Sequence, residues 1–99
     1  MNLDELTFAN RQLADLLKSG VPLEGSLHQL CSTMSRGELR TELQLLEQGL
    51  TKGIPLEEAL DNRKLPELYV KMIKVGVKGN NLPAVLTMLA DYYSRVNNL

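Results

Sequence analysis

The apolar positions of the chain recur at steps of three and four residues, which is the spacing of amphipathic helices rather than of strands. The third segment shows this clearly, with Leu39, Leu43, Leu46 and Leu50 on one face. Applied along the chain, the pattern predicts six helices with bounds of about 4–19, 22–33, 36–52, 55–62, 66–78 and 82–96. Because the loops between them are short, we expect an all-α fold, a six-helix antiparallel bundle.

Glycine followed closely by proline separates three pairs of these helices. A glycine just past a helix end tolerates left-handed backbone geometry, and a proline in the next first turn needs no N–H partner. The corners are Gly20 with Pro22, Gly53 with Pro55 and Gly79 with Pro83, and Pro66 begins a further helix. Offsets of 33 and 26 residues favour one local helix–Gly–Pro–helix corner used three times; the alternative is a tetratricopeptide-like solenoid.

Composition places limits on the size and class of the domain. With 99 residues, of which 43% are hydrophobic, the chain is sufficient for one modest domain, residues 1–99. Its 21 leucines against four aromatic residues favour helices over sheets. The 11 basic and 12 acidic side chains nearly cancel, which argues against a sequence-independent nucleic-acid binder. A single cysteine cannot form an internal disulfide, and no window reaches the roughly 20 apolar residues of a membrane helix.

The sequence contains few residues that point to catalysis or to a metal site. His28 and Cys31 lie three residues apart on the second helix, where a nucleophile and its base are one interpretation. A buried structural cysteine beside a boundary histidine is the interpretation we prefer. The acidic side chains of the third helix, Glu38, Glu42 and Glu47, are interpreted as part of an ordinary solvated face. We therefore predict no catalytic residue, no metal ligand and no cofactor.

Phe8 deviates from the amphipathic pattern of the first helix. At about 100° per residue it lies well away from the leucine stripe, beside Gln12 and Asp15. It either packs under a neighbouring helix or is exposed as an interface anchor. Phe8 is therefore a candidate partner-binding residue.

The fifth helix is apolar around most of its circumference, and its lysines Lys71, Lys74 and Lys78 form one narrow strip. We expect such a helix to be central or to be buried at a partner surface. From residue 63 to residue 78 the net charge is +4, so the remainder carries −5. The three lysines are candidate partner-binding residues for an acidic protein or anionic lipid headgroups; the alternative is that they only keep an apolar helix soluble.

Four segments carry motifs in a fixed order along essentially the whole chain. They are Phe8-x-x-Arg11-Gln12-Leu13-Ala14-x-Leu16-Leu17-x-x-Gly20-Val21-Pro22-Leu23, Leu50-x-x-Gly53-x-x-Leu56-x-x-Ala59-Leu60, Pro66-x-Leu68-Tyr69-Val70-x-Met72-Ile73-x-Val75-Gly76, and Leu89-Ala90-Asp91-Tyr92-Tyr93. This series resembles the type II secretion F family, the GspF/PilC-like platform proteins of type II secretion and type IV pilus machines. The resemblance implies a cytoplasmic domain of six antiparallel helices on the cytoplasmic face of the bacterial inner membrane.

The resemblance also implies what surrounds the domain. The chain is expected to be an N-terminal fragment of a polytopic inner-membrane protein, followed by membrane-spanning segments. The implied partners are the pilus or secretion assembly ATPase, other inner-membrane assembly proteins and pilin-like subunits. A homodimer is a further expectation if apolar surface is exposed on the first or fifth helix.

One segment departs from the family pattern. At the end of the fifth helix the family reads Gly-Glu-x-Ser/Thr-Gly-x-Leu. This chain keeps the first glycine as Gly76 but has Val77 in place of the glutamate and Asn80 in place of the second glycine. Any role of that glutamate in binding a cation or supporting a subunit contact is therefore not carried over. The departure favours an outlying branch such as the TcpE-like type IVb pilus proteins.

These observations lead to one preferred function and two alternatives. The preferred function is a non-enzymatic platform component that transmits motion from the ATPase to membrane-embedded subunits by contact alone. The first alternative is a soluble helical-repeat adaptor that binds a peptide in a concave groove. The second is a small hydrolase that uses His28 and Cys31.

Overall fold

The computed structural model describes residues 1–98 and contains six α-helices in that range. They are α1 (Leu3–Lys18), α2 (Leu23–Thr33), α3 (Glu38–Thr51), α4 (Leu56–Asp61), α5 (Glu67–Lys78) and α6 (Leu82–Asn97). Every helix begins and ends within two residues of its predicted bounds. The prediction of an all-α fold with six helices is thus confirmed.

The starts of the helices follow from local chemistry. The side-chain oxygen of Asn2 accepts hydrogen bonds from the N–H groups of Asp4 and Glu5, at 2.9 and 3.1 Å, which satisfies two donors that lack a partner within α1. Each proline lies at a helix start. Pro22, Pro55 and Pro66 directly precede α2, α4 and α5, and Pro83 lies in the first turn of α6. None of them interrupts a helix.

The ends of α1 and α3 adopt the predicted left-handed glycine geometry, with φ of 93° at Gly20 and 87° at Gly53. The prediction for Gly79 is wrong, because its φ is −85° and the left-handed residue is Asn80, with φ of 54°. In all three corners the left-handed residue lies two positions after the last helical residue, and after Lys78 that position is Asn80. Asn tolerates the left-handed region better than most residues because its side chain is short and polar.

The six helices form a closed ring. Each helix packs against the next one along the chain, and α6 returns to pack along α1 in the most extensive contact of the molecule. Arg11 of α1 pairs with Asp91 of α6 at 2.9 Å, and Lys18 donates to the Thr87 hydroxyl at 3.3 Å. A solenoid keeps its first and last repeats apart, so this closure contradicts the tetratricopeptide-like alternative.

Each helix contributes leucine, isoleucine or tyrosine side chains to one shared core. α5 contributes less than its composition suggests, since its only buried residues are Tyr69, Ile73 and Gly76. Of the two alternatives for the fifth helix, a central position is therefore wrong, and burial at a partner surface stays a prediction. α5 approaches α6 closely at Gly76, where an added Cβ would lie 3.0 Å from Cγ2 of Val85. Within residues 1–98, no helix is long and apolar enough to cross a membrane.

Candidate partner-binding surfaces

The outer face of α5 is apolar and exposed. Leu68 and Val75 are 43% and 57% exposed, and the half-buried Met72 lies between them at the i, i+4, i+7 spacing of one helix face. Met72 packs partly against the core, whereas Leu68 and Val75 do not, because α5 contacts only α4 and α6 extensively. The apolar circumference seen in the sequence is thus divided between a buried side and an outward side.

A groove runs between α5 and α6 beside this outward face. Its lining residues are Leu68 and Met72 from α5 and Met88, Leu89, Tyr92 and Arg95 from α6, which enclose about 240 Å³. We call it the α5/α6 groove. The side chains at its surface are mostly apolar, and Arg95 is the one charged residue among them.

The sequence interpretation missed this groove. Met88 and Tyr92 lie four residues apart on α6 and are 46% and 39% exposed. They lie beside the buried side chains of α6, such as Val85 and Leu89, on one side of the helix. A rotation of about 100° per residue applied to the sequence could therefore have identified a second apolar face. The sequence alone could not show that the exposed apolar face of α5 lies next to it.

The lysines of α5 differ in their surroundings. Lys71 pairs with Glu67 at 2.9 Å on the solvent-exposed surface, and this hydrogen bond and the lysine charge lower the pKa of the Glu67 carboxyl. Lys74 is half-buried and pairs with Asp61 at the end of α4. Lys78 is exposed and forms no ion pair with any residue in the described range 1–98. Two of the three candidate lysines are therefore already paired with carboxylates of the same chain.

Phe8 is 52% exposed, which selects the exposed alternative over the packed one. It lines a shallow pocket of about 310 Å³ with Asp4 and Glu5 of α1 and with Met34 at the end of α2. This surface is separate from the α5/α6 groove in the residues that line it. The predicted site residues therefore lie on at least two surfaces and are not brought together.

His28 and Cys31 have the surroundings expected of structural residues. Cys31 is buried, and the His28 imidazole is exposed and lies 3.1 Å from Oε2 of Glu47 on α3. Burial, followed by the negative charge of Glu47, raises the pKa of the Cys31 thiol, and the charge of Arg40 opposes this only in part. A raised pKa reduces the thiolate fraction that a nucleophile requires. This geometry gives no support to the hydrolase alternative.

Glu42 contradicts the interpretation of the third helix as an ordinary solvated face. Only 7% of the residue is exposed, and its carboxylate accepts a hydrogen bond of 2.6 Å from the backbone N–H of Lys64. Arg63 lies 3.7 Å from the same oxygen. The turn between α4 and α5 folds over this part of α3, so Glu42 links the two elements. Among residues 1–98, no group of three or more His, Cys, Asp and Glu side chains could hold a metal ion.

Comparison with known proteins gives a consistent result. The model of the family described as type II secretion system (T2SS), protein F matches residues 9–99. The chain is 34% identical over 90 residues to the type II secretion system protein F of Vibrio cholerae serotype O1, covering 89% of this chain and 22% of that protein.

Relatives named for pilus assembly and protein transport are also similar. The chain is 24% identical over 90 residues to the type IV pilus assembly protein TapC of Aeromonas hydrophila, covering 89% of this chain and 22% of TapC. It is 28% identical over 93 residues to the protein transport protein HofC homolog of Haemophilus influenzae, covering 92% and 23% of the two chains. The chain thus spans about a fifth of the length of these relatives.

Proposed function

Because the chain belongs to the type II secretion system protein F family, we propose that it is a platform domain of a type II secretion or type IV pilus machine. The family match over residues 9–99 is the observation that carries this proposal. The domain would lie on the cytoplasmic face of the bacterial inner membrane as part of a longer integral membrane protein. It would act without catalysis, by contact with other machine subunits.

The closed ring of helices supports a mechanical role. Since α6 packs back along α1, the two ends of the described chain are held together, and the bundle can move as one unit. The Arg11–Asp91 pair joins the first and last family motifs of the sequence across this contact. A unit of this kind can pass a displacement from one face to another. We propose that the assembly ATPase binds one face and that pilin-like or inner-membrane subunits respond through another.

The exposed surfaces suggest where these contacts form. We propose Phe8 as an apolar anchor, since a half-exposed phenylalanine gains from burial in a partner pocket. We propose Lys71, Lys74 and Lys78 as a basic contact strip. Lys78 carries the most weight, because Lys71 and Lys74 already pair with Glu67 and Asp61.

The proposal is tested by co-purification of the full-length protein with its cognate assembly ATPase and inner-membrane partners. Phe8→Ser and Lys78→Glu should each reduce the amount of partner recovered. Lys52→Glu, which changes an exposed lysine directly after α3, should not. Circular dichroism of each variant checks that the helices remain folded. If the full-length protein recovers neither the ATPase nor any other machine subunit, the proposed function is wrong.

A further inference from the structure

We propose that the α5/α6 groove binds an acidic amphipathic helix of a partner protein, with Arg95 paired to a carboxylate of that helix. The inference deepens the proposed function and rests on it for the identity of the partner as a machine subunit. The groove and its charge are properties of the chain itself.

The shape of the surface favours a helix as the occupant. Two packed helices leave a channel between them, and a third helix can lie in such a channel with its apolar side chains inserted at i, i+3 or i+4, and i+7. Leu68, Met88 and Tyr92 are 43%, 46% and 39% exposed along this channel. Met72 and Met88 have flexible, polarizable side chains that adapt to the groups inserted between them. The lining therefore offers a mostly apolar floor between two packed helices.

The charge of the surface favours an acidic helix. Arg95 lines the groove and forms no ion pair with another residue in the described part of the chain. Residues 67–97 carry four basic and two acidic side chains, and both acidic ones are engaged: Glu67 by Lys71 and Asp91 by Arg11. A carboxylate at the rim of the groove would thus meet an unopposed guanidinium. A lysine at the same place would be repelled.

The same observations disfavour an anionic membrane as the occupant. A peripheral membrane contact combines an exposed apolar face with free cations that reach the anionic headgroups. Here most of the exposed apolar side chains of α5 and α6 line the groove, with Val75 outside it, and Lys71 and Lys74 are paired with Glu67 and Asp61. The acidic helix is consequently the better match in both shape and charge.

Two synthetic peptides test this inference. Both are helical 18-residue peptides with leucines at i, i+3, i+7 and i+10, and they differ only in carrying glutamate or lysine at the positions that flank the leucines. Each is titrated against the chain by fluorescence anisotropy. The acidic peptide should bind at least ten-fold more tightly than the basic one, and added salt should reduce this difference.

Variants assign the binding to the groove. Arg95→Glu should weaken the acidic peptide at least ten-fold and should tighten the basic one, while Met88→Ser should weaken the acidic peptide by a similar factor. Matched controls away from the groove are Lys52→Glu for charge and Leu45→Ser for an exposed apolar side chain, and both should bind as the parent does. Thermal melting confirms that every variant is folded.

Several results would overturn the inference. These are equal affinity for the two peptides, an unchanged affinity after Arg95→Glu, or no binding of either peptide. Partition of the chain onto phosphatidylglycerol-containing vesicles without peptide binding would assign the face to a membrane instead. If the acidic peptide binds as expected but the full-length protein recovers no machine subunit, the proposed function fails while the groove assignment stands.

Discussion

Because α5 and α6 approach closely at Gly76, we predict that Gly76→Ala destabilises the fold, although helix propensity alone would predict stabilisation. Gly76 lies inside α5, where replacement of glycine by alanine in an open position stabilises a helix by about 0.5–1 kcal/mol. A Cβ on Gly76, however, would lie 3.0 Å from Cγ2 of Val85, 3.1 Å from its Cβ and 3.3 Å from Cα of Leu82. Those distances are too short for carbon atoms, whose optimal separation is about 3.5–4.0 Å.

The magnitude follows from the two opposing effects. Overpacking of a tight contact costs about 1–3 kcal/mol, and backbone atoms such as Cα of Leu82 cannot move aside as a flexible side chain can. Because a backbone atom is involved, the cost lies in the upper part of that range, at about 2–3 kcal/mol. After the gain in helix propensity is subtracted, Gly76→Ala should lower the free energy of unfolding by about 1–2.5 kcal/mol. In a domain of this size each kcal/mol lowers the Tm by about 4–8 °C.

Gly49 is the matched control. It lies inside α3, and a Cβ there would be 3.4 Å from that of Ala59 and 3.9 Å from Cδ1 of Ile54, which are ordinary contacts. Gly49→Ala should therefore raise the free energy of unfolding by up to about 1 kcal/mol.

Urea unfolding followed by circular dichroism at 222 nm measures both variants, and calorimetry gives their Tm values. In a double-mutant cycle, Val85→Ala should reduce the cost of Gly76→Ala, because it removes the nearest atom. If Gly76→Ala is as stable as the parent chain, or if the two glycines respond alike, the helices do not approach as closely as described and the reasoning is refuted.

Three further predictions concern the corners and the buried polar groups. Gly20→Ala and Gly53→Ala should each lower the free energy of unfolding by about 1–2 kcal/mol, because both glycines have a positive φ. Gly37→Ala, at an extended φ of 163°, should have little effect, and the urea midpoints of the three variants test this. Glu42→Ala should lower the free energy of unfolding by about 1.5–3 kcal/mol. Glu42→Gln should lower it by less, since the amide oxygen can still accept the hydrogen bond from the Lys64 N–H, and equal losses in urea titrations would contradict this. Burial raises the pKa of Tyr69 above 10.0, so the folded chain should lose stability as the pH rises above about 10, where only the unfolded tyrosine ionises. Tyr69→Phe should reduce that loss in thermal melts at alkaline pH. An unchanged dependence of the Tm on pH would argue against burial of the hydroxyl.

The candidate binding surfaces were only partly accessible from the sequence. The strip of lysines on α5 is a consequence of helical periodicity and was visible as such, and Phe8 stood out because it lies off the leucine stripe. The pairing of Lys74 with Asp61 could not be predicted, because it depends on how α4 and α5 meet. The α5/α6 groove likewise requires two exposed faces on different helices to lie side by side.

Glu42 is a second case in which the sequence could not predict the surroundings of a side chain. Its position beside the leucine stripe of α3 fits either a solvated or a covered carboxylate, and periodicity cannot separate the two. The structure decides the question because the backbone N–H of Lys64 reaches the carboxylate from a turn 22 residues away in sequence.

The sequence by itself determined the six helices and their bounds, because helix propensity, proline and glycine act through neighbours within about one turn. It also determined the family, through the order of its motifs. Only the tertiary structure decided that the helices close into a ring, that α5 is peripheral and that the left-handed residue of the third corner is Asn80. The first two features depend on contacts between helices, and their energies arise from packing and burial that no local pattern contains. The third depends on the local hydrogen bonds that end α5, such as that from the Asn81 N–H to the Gly76 carbonyl.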